Sequence, residues 1–555
     1  MKLISSARSR LGGRLVRRMP KAVIFTASLV LSVPLALAAL GSPAGASTAR
    51  PATTARPAGA TTAQAGNPDC PWLNQSLPIS QRVHLLLSKM TLANEITMVE
   101  GQGTSQPYVF YMAAQPSLCI PALGLEDGPN GVGDGLTGVT QLPSGASLAA
   151  TFDTSLARQY GAVIGQEEWG KGAAVNLGPT VNILRDPRWG RSFESFTEDP
   201  FLNAALAVSE IGGVQAQGEM SQVKHFAAYN QEINRNTPQD DVIASTRTLH
   251  EIYLPAFEQA VTQAKVASLM CAYSVINGDF ACQNDALENQ VLRGRWHFPG
   301  FVTSDYAALH DTQGAVDGTD MEQPFNDFFG QSLQTAVENG TIPKSVVDTM
   351  VSRIATEMFR FGIFNNPPTG TTSATVTTPA HQAVAQQVAE DGTVLLKNDG
   401  GALPLSAGHA GPVAVIGPAA SAQPTPAGGG SAFVTAPFST TPLQGLKAAA
   451  GPGTSITYQQ GLPTDTSLPA VPASALSPAY APTPFGGSYT GTLTAPETGT
   501  YVLALTNPCG CYNAANLSID GKQIVSVPST PPVHTYSAAV HLQAGQTYQV
   551  QISGD

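Results

Sequence analysis

The chain reads as an α/β protein: a (β/α)8 barrel of the TIM type, followed by a second α/β domain that gives way to a β-sandwich. Three observations predict this. From Pro71 to Phe364 short apolar strands alternate with amphipathic helices, and a stretch of about 290 residues suits one barrel. Polar residues able to do chemistry stand just after those strands, at Lys224-His225, Tyr273 and Asp305, where a barrel keeps its site. Beyond a Pro/Ala-rich stretch at 462–484 the texture changes to short alternating strands with Gly and Pro turns, the pattern of a sandwich.

The start of the chain is an export signal. Seven of the 28 basic residues fall in the first 21 positions, and the first acid is Asp69. Ala22 to Leu40 is apolar, and Ala44-Gly45-Ala46 supplies the small residues a signal peptidase needs, so residues 1–46 form a signal peptide cleaved near Ala46. Pro34 and the small residues downstream argue against a retained anchor. Arg17-Arg18 is compatible with twin-arginine export. Residues 47–69, rich in Ala, Thr, Pro and Gly, are a disordered linker. Without the signal the chain carries 21 basic against 39 acidic groups. Such acidity, with no basic run after the start, disfavours nucleic acid and, once the signal is gone, membrane. An exported product working outside the cell on a neutral partner such as a sugar fits.

The barrel domain occupies 70–364. Apolar residues at helical spacing, Val83, Leu86, Leu87 and Met90, mark its first helix, and Thr91 is available to cap a second. The clearest strands are 174–177, 222–226, 267–272 and 301–304, with helix between them as at 248–263. Residues 365–380 form a linker. A helix at 381–390 and strands at 393–397 and 413–417 open the second domain, assigned 381–470. The sandwich, 478–555, is built from strands near 491–493, 499–505, 516–519 and 547–552.

Six cysteines in an exported chain can pair. Cys271 and Cys282 flank a short loop and make one bridge, and Cys70 with Cys119 is a second possibility. Cys509-Gly510-Cys511 would close only a tight ring or stay reduced. No metal cluster stands at ligand spacing, and no cofactor is implied. Gly131–Gly135 and Gly428–Ser431 lack the Lys-Ser/Thr of a phosphate loop and the frame of a dinucleotide site. They read instead as flexible loops near the candidate site.

What carries function is a series of motifs in order. After Asp127-Gly128-Pro129-Asn130-Gly131 come Arg188-Trp189-Gly190-Arg191 and Glu198-Asp199-Pro200. Lys224-His225-Phe226 follows, with Asn230-Gln231-Glu232 and Arg235, then Met270-Cys271-Ala272-Tyr273 and Thr303-Ser304-Asp305. The series resembles glycoside hydrolase family 3 over roughly residues 80–460, and Val394–Asn398 with Leu403-Pro404-Leu405 is similar to its second domain. The resemblance implies an α/β sandwich as that second domain, interrupted here by a PA14-like β-sandwich that Pro496–Tyr501 resembles. It also implies a β-glucosidase-like glycosidase that releases terminal β-D-glucosyl residues by double displacement. Asp305 is then the nucleophile. Asp127, Arg191, Lys224, His225, Arg235, Met270 and Tyr273 bind the sugar of a β-linked oligosaccharide or aryl glycoside.

The residue types suit that chemistry. A retaining glycosidase needs one carboxylate to attack the anomeric carbon and a second carboxyl group to protonate the leaving oxygen. Asp127 can accept from two neighbouring hydroxyls, while Arg191, Lys224, His225 and Arg235 are donors. Glu194 and Glu198 are read as partners of neighbouring arginines. Two positions depart from the family: Ser274 stands where Asn often follows the Tyr, and Tyr306 stands where Trp is common beside the nucleophile.

The family's acid/base is usually a Glu of the second domain. After residue 365 the sequence has only Glu390, in the opening helix, and Glu497, in the sandwich. Neither suits the role, so the acid/base is expected beyond Asp555, in a chain truncated within the insert. The competing expectations are a β-xylosidase of the same mechanism and a secreted sugar-binding protein without catalysis.

Overall fold

In the computed structural model, residues 2–5, 69–406, 408, 411–421, 428–460, 475–478, 488–507, 515–527 and 534–554 are described. Cys509 and Cys511, most of the signal segment and all of the linker before Asp69 lie outside them.

The first domain is an α/β domain around one curled sheet. Its strands are β1 (Phe110–Met112), β2 (Leu123–Asp127), β3 (Val175–Leu177), β4 (Met220–Phe226), β5 (Ser268–Cys271) and β6 (Phe301–Thr303), joined in that order. β2 to β6 are parallel; β1 runs antiparallel to β2. β3 to β6 are buried at every residue, so none shows the in/out alternation of a half-exposed strand. Past β6 the wall continues through irregular segments. Ser304 N–H donates to Met321 O at 2.8 Å, Glu322 N–H to Val99 O at 2.9 Å, and Gly101 N–H to Phe325 O at 2.9 Å. The domain is of the expected TIM-type class, with one antiparallel strand and two irregular staves.

The surrounding helices start where the sequence caps them. Thr91 and Asn94 form a capping box for Leu92–Val99. Asp153 caps Thr154–Lys171, and Asp199, followed by Pro200 at the first position, caps Pro200–Gln215. These two long helices touch backbone to backbone: a Cβ on Gly161 would lie 2.1 Å from Glu210 O, so only glycine fits. One continuous core joins helices and sheet, with Phe226, Phe257 and Phe301 fully buried. Truncating such a ring typically costs about 3–5 kcal/mol.

A three-stranded ribbon, Asp241–Val242, Val275–Ile276 and Asp279–Phe280, folds from the loops after β4 and β5. The Cys271–Cys282 disulfide closes its base, and Cys70–Cys119 is also formed.

After the barrel, the linker is held on it. The fully buried Lys171 donates to the carbonyls of Thr137, Thr372 and Ala374, and Val376 and Thr377 N–H both donate to Gly138 O. Helix Pro379–Asp391 then leads to two parallel strands, Val413–Ile416 and Ile456–Gln459. The strand expected at 393–397 does not form. Val394, Leu395 and Leu396 are exposed, and no neighbouring strand among the described residues offers them the ladder a strand requires. The last segment is two antiparallel sheets around a second core of Leu493, Tyr501, Leu503, Leu517 and Val550. A short strand at Lys2–Ser5 pairs with Gly499–Asn507.

Candidate active site

The polar residues singled out above sit at the carboxyl ends of successive parallel strands. Asp127 closes β2, Lys224-His225 lie near the end of β4, and Tyr273 and Asp305 come two residues after β5 and β6. In a parallel barrel those ends converge, and here the side chains form one contiguous set. Lys224 Nζ is 3.3 Å from Asp127 Oδ1. His225 Nε2 is 3.0 Å from Arg191 Nη2 and 3.6 Å from Asp305 Oδ2. Arg235 lies over the Tyr273 ring, 4.8 Å from its centroid. Met270, buried on β5, is placed by register alone, opposite Thr303.

Asp305 is buried, and its two oxygens differ. Oδ1 accepts the N–H of Tyr306 at 2.7 Å, while Oδ2 has no hydrogen-bond partner among the described residues. Leaving a buried carboxylate oxygen unsatisfied costs about 1–3 kcal/mol or more, so such an oxygen at a concave site signals a missing ligand or a reactive role.

His225 is neutral. Burial pushes its imidazole well below the usual range, and the charges of Arg191, Lys224 and Arg235 push the same way. Its tautomer follows from its neighbours. Nδ1 lies 3.0 Å from Asn182 Oδ1, which can only accept, so Nδ1 carries the proton. Nε2 then accepts from the Arg191 guanidinium. Asn182 also accepts from His225 N–H and donates to His225 O, and so clamps the residue through three contacts. Arg191 itself is paired with Glu194, the arginine partner expected there, at 2.7 Å through Nε.

An aromatic group backs this polar layer. Tyr229 packs edge-on against His225, Tyr273 and Trp189. Glu232 accepts from Tyr229 at 2.6 Å, Trp189 at 2.7 Å and Arg235 at 2.7 Å. Burial, and next the charge of Asp305, push the Tyr273 hydroxyl up. Tyr306, partly exposed beside Asp305, contacts the Phe110 and Phe325 rings.

The second domain supplies part of the rim. Ser431 Oγ accepts from Arg191 Nη2 at 3.1 Å, and Val434 packs with Val132 and Val139. A Cβ at Gly428 would lie 2.2 Å from the Phe193 ring, so the glycines of this loop permit the approach.

The chain has counterparts among known proteins. Residues 89–357 match the glycosyl hydrolase family 3 N-terminal domain, and residues 393–544 match the C-terminal domain of the same family. The chain belongs to glycoside hydrolase family 3. A beta-glucosidase of Rhizobium radiobacter is 39% identical over 385 residues, 68% of this chain and 46% of the relative. A thermostable beta-glucosidase B of Acetivibrio thermocellus is 36% identical over 384 residues, 67% of this chain and 50% of the relative. The chain thus spans about half the length of the curated relatives it matches. Among solved structures, the beta-glucosidase DesR of Streptomyces venezuelae, in complex with D-glucose, is 36% identical with a TM-score of 0.68. That match covers 85% of this chain and 62% of DesR. Beta-glucosidase 3B of Thermotoga neapolitana, in complex with alpha-D-glucose, is 30% identical with a TM-score of 0.61, over 68% of this chain and 55% of that one.

Sequence reasoning missed Asn182, Tyr229, the bridging role of Glu232 and the contact from Ser431. Asn182 had a signal, since it follows strand 174–177 on the face where a barrel keeps its chemistry. Tyr229, between Lys224-His225 and Arg235, had one too. Ser431 lies in a loop already read as near the site, but nothing local pairs it with Arg191, 240 positions away.

Proposed function

We propose that this family 3 protein is a retaining β-glucosidase with Asp305 as its nucleophile. The observation that carries the reading is the buried Oδ2 of Asp305, without a hydrogen-bond partner among the described residues, beside a layer of polar groups. Oδ2 attacks the anomeric carbon, the bond to the leaving oxygen breaks, and a glucosyl ester forms on Asp305. Water then attacks the same carbon, releasing glucose with its configuration retained and restoring the carboxylate. Asp127, held by Lys224, accepts from adjacent hydroxyls at the outer edge of the ring. Arg191 and Lys224 donate, and neutral His225 stands beside the nucleophile without competing for its charge. The glucose complexes of two structural neighbours support a glucosyl ligand. Protonation of the leaving group is assigned to neither Glu390 nor Glu497, since both are exposed, on the helix Pro379–Asp391 and in a sandwich turn.

The deciding experiment uses a substrate that needs no acid: a 2-fluoro-β-glucoside carrying a dinitrophenyl leaving group. The chain should be labelled on Asp305, as mass mapping would show. Labelling at another carboxylate, or none in a folded protein that also binds no glucose, overturns the assignment.

Export belongs to the same proposal. The signal-like residues 1–46 and two disulfides both suit an oxidising compartment. Protein recovered from the medium should begin near Ser47; retention inside the cell with residue 1 intact rejects it. Residues 478–555 are read as a PA14-like insert, on the Pro496–Tyr501 segment and the two antiparallel sheets.

A further inference from the structure

Asp240 lies outside the layer described above, fully buried at the foot of the three-stranded ribbon. Its Oδ1 accepts from Gln231 Nε2 at 2.5 Å, and Gln231 directly precedes Glu232 in the segment that ends at Arg235. Its other oxygen and the Ser274 hydroxyl, also fully buried, each have no hydrogen-bond partner among the described residues, although Ser274 is among the groups that act on the Asp240 carboxyl. Ser274 directly follows Tyr273. The backbone makes the link, with Val275 N–H donating to Asp240 O at 3.0 Å. Asp240 thus joins the segment carrying Glu232 and Arg235, through its carboxyl group, to the segment carrying Tyr273, through its backbone carbonyl. Across that junction Arg235 rests on the Tyr273 ring.

We propose that Asp240 is a positioning residue for the sugar site, fixing the distance between Arg235 and Tyr273 through its side-chain bond to Gln231 and its backbone bond to the Ser274-Val275 segment. This rests on the reading of the site as a glucosidase centre. The charged groups facing Asp240 are Glu232 and Asp241; both are acidic, so no cation competes with Gln231 for its carboxyl.

The test is the rate of Asp305 labelling by the fluoro-glucoside, measured on the whole chain together with hydrogen exchange. Asp240→Ala should slow labelling by about 10–100-fold, the usual cost of removing a group that orients a site residue. Exchange should rise in residues 229–236 and 272–276 but not around Cys70–Cys119. Asp240→Asn keeps an acceptor for Gln231 and offers Ser274 a donor, so it should restore the rate to within about threefold. Gln231→Ala cuts the same link from the other side and should slow labelling like Asp240→Ala. It also decides the matter if Asp240→Ala does not fold. Labelling of Gln231→Ala or of folded Asp240→Ala at the parent rate overturns the proposal. So does a deficit in Asp240→Asn equal to that of the alanine variant, which would mean the charge and not the links mattered. Should the parent chain itself neither label nor bind glucose, the glucosidase reading has failed, and the parent alone reveals it.

Discussion

His225 Nε2 lies 3.6 Å from Asp305 Oδ2, and the two are not an ion pair. The imidazole is neutral, its proton is on Nδ1, and its Nε2 lone pair is engaged by Arg191. His225 therefore shapes the space beside the nucleophile without donating to it, and Oδ2 stays free for carbon.

Replacing Asp305 with Ala should lower release of nitrophenol from a nitrophenyl β-glucoside by at least about 10³-fold, as loss of a covalent nucleophile does. Azide should then restore part of the rate and yield the α-glucosyl azide. Identification of the β-azide would mean that displacement still passes through a second carboxylate.

Asn182→Ala leaves the His225 backbone and ring without their clamp. Stability should fall by about 1–3 kcal/mol, from buried polar groups left unpaired. Activity should drop by about 10–100-fold as Nδ1 loses its acceptor. Denaturant titration and steady-state kinetics check the two effects separately. Unchanged kinetics would show that the tautomer does not matter.

Opening the Cys271–Cys282 bridge, which closes a loop with a sequence separation of 11, should cost about 2–3 kcal/mol. Because the loop carries Tyr273, the Cys271→Ser/Cys282→Ser protein should also bind glucose more weakly. Calorimetry of glucose binding measures this, and opening of Cys70–Cys119 by the same substitutions is the control, expected to affect stability but not affinity.

Stability should decline toward alkaline pH. Burial pushes Glu322 up to about 7 from its ordinary 4.5, against the pull of the Phe328 and Phe329 N–H donors. The folded state thus holds this proton more tightly than the unfolded chain. The resulting stability is complete below about pH 4.5 and is lost as pH rises to about 7, after which it changes no further. Glu322→Gln should flatten the fall in Tm between pH 5 and pH 8, on the order of 1–3 kcal/mol at the upper end. A parent Tm that rises over that range would contradict the assignment.

Much of this was legible because parallel barrels put chemistry at strand ends. Phe301-Val302-Thr303 is a short buried run, so the charged residue just beyond it, Asp305, stands out. β2 was hidden by its composition: Leu-Gly-Leu-Glu-Asp carries the fully buried Glu126 where an apolar residue is expected. The Val394-Leu395-Leu396 run has strand-like residues, but a ladder needs a neighbour, and propensity does not provide one. Asp240 and Ser431 act through contacts that no local pattern encodes.

The seating of the Gly428–Val434 loop on the barrel divides assembly of the site in time. A polypeptide emerges from the ribosome amino end first, and 240 residues separate Arg191 from the Ser431 that meets it. At about 5–20 residues per second, roughly 12–50 s pass between the two. Throughout that interval the newborn barrel carries an unroofed rim, with Phe193, Val132 and Val139 bare of their eventual cover. A helper that guards nascent chains, or the export machinery holding this one unfolded, would have that window in which to act.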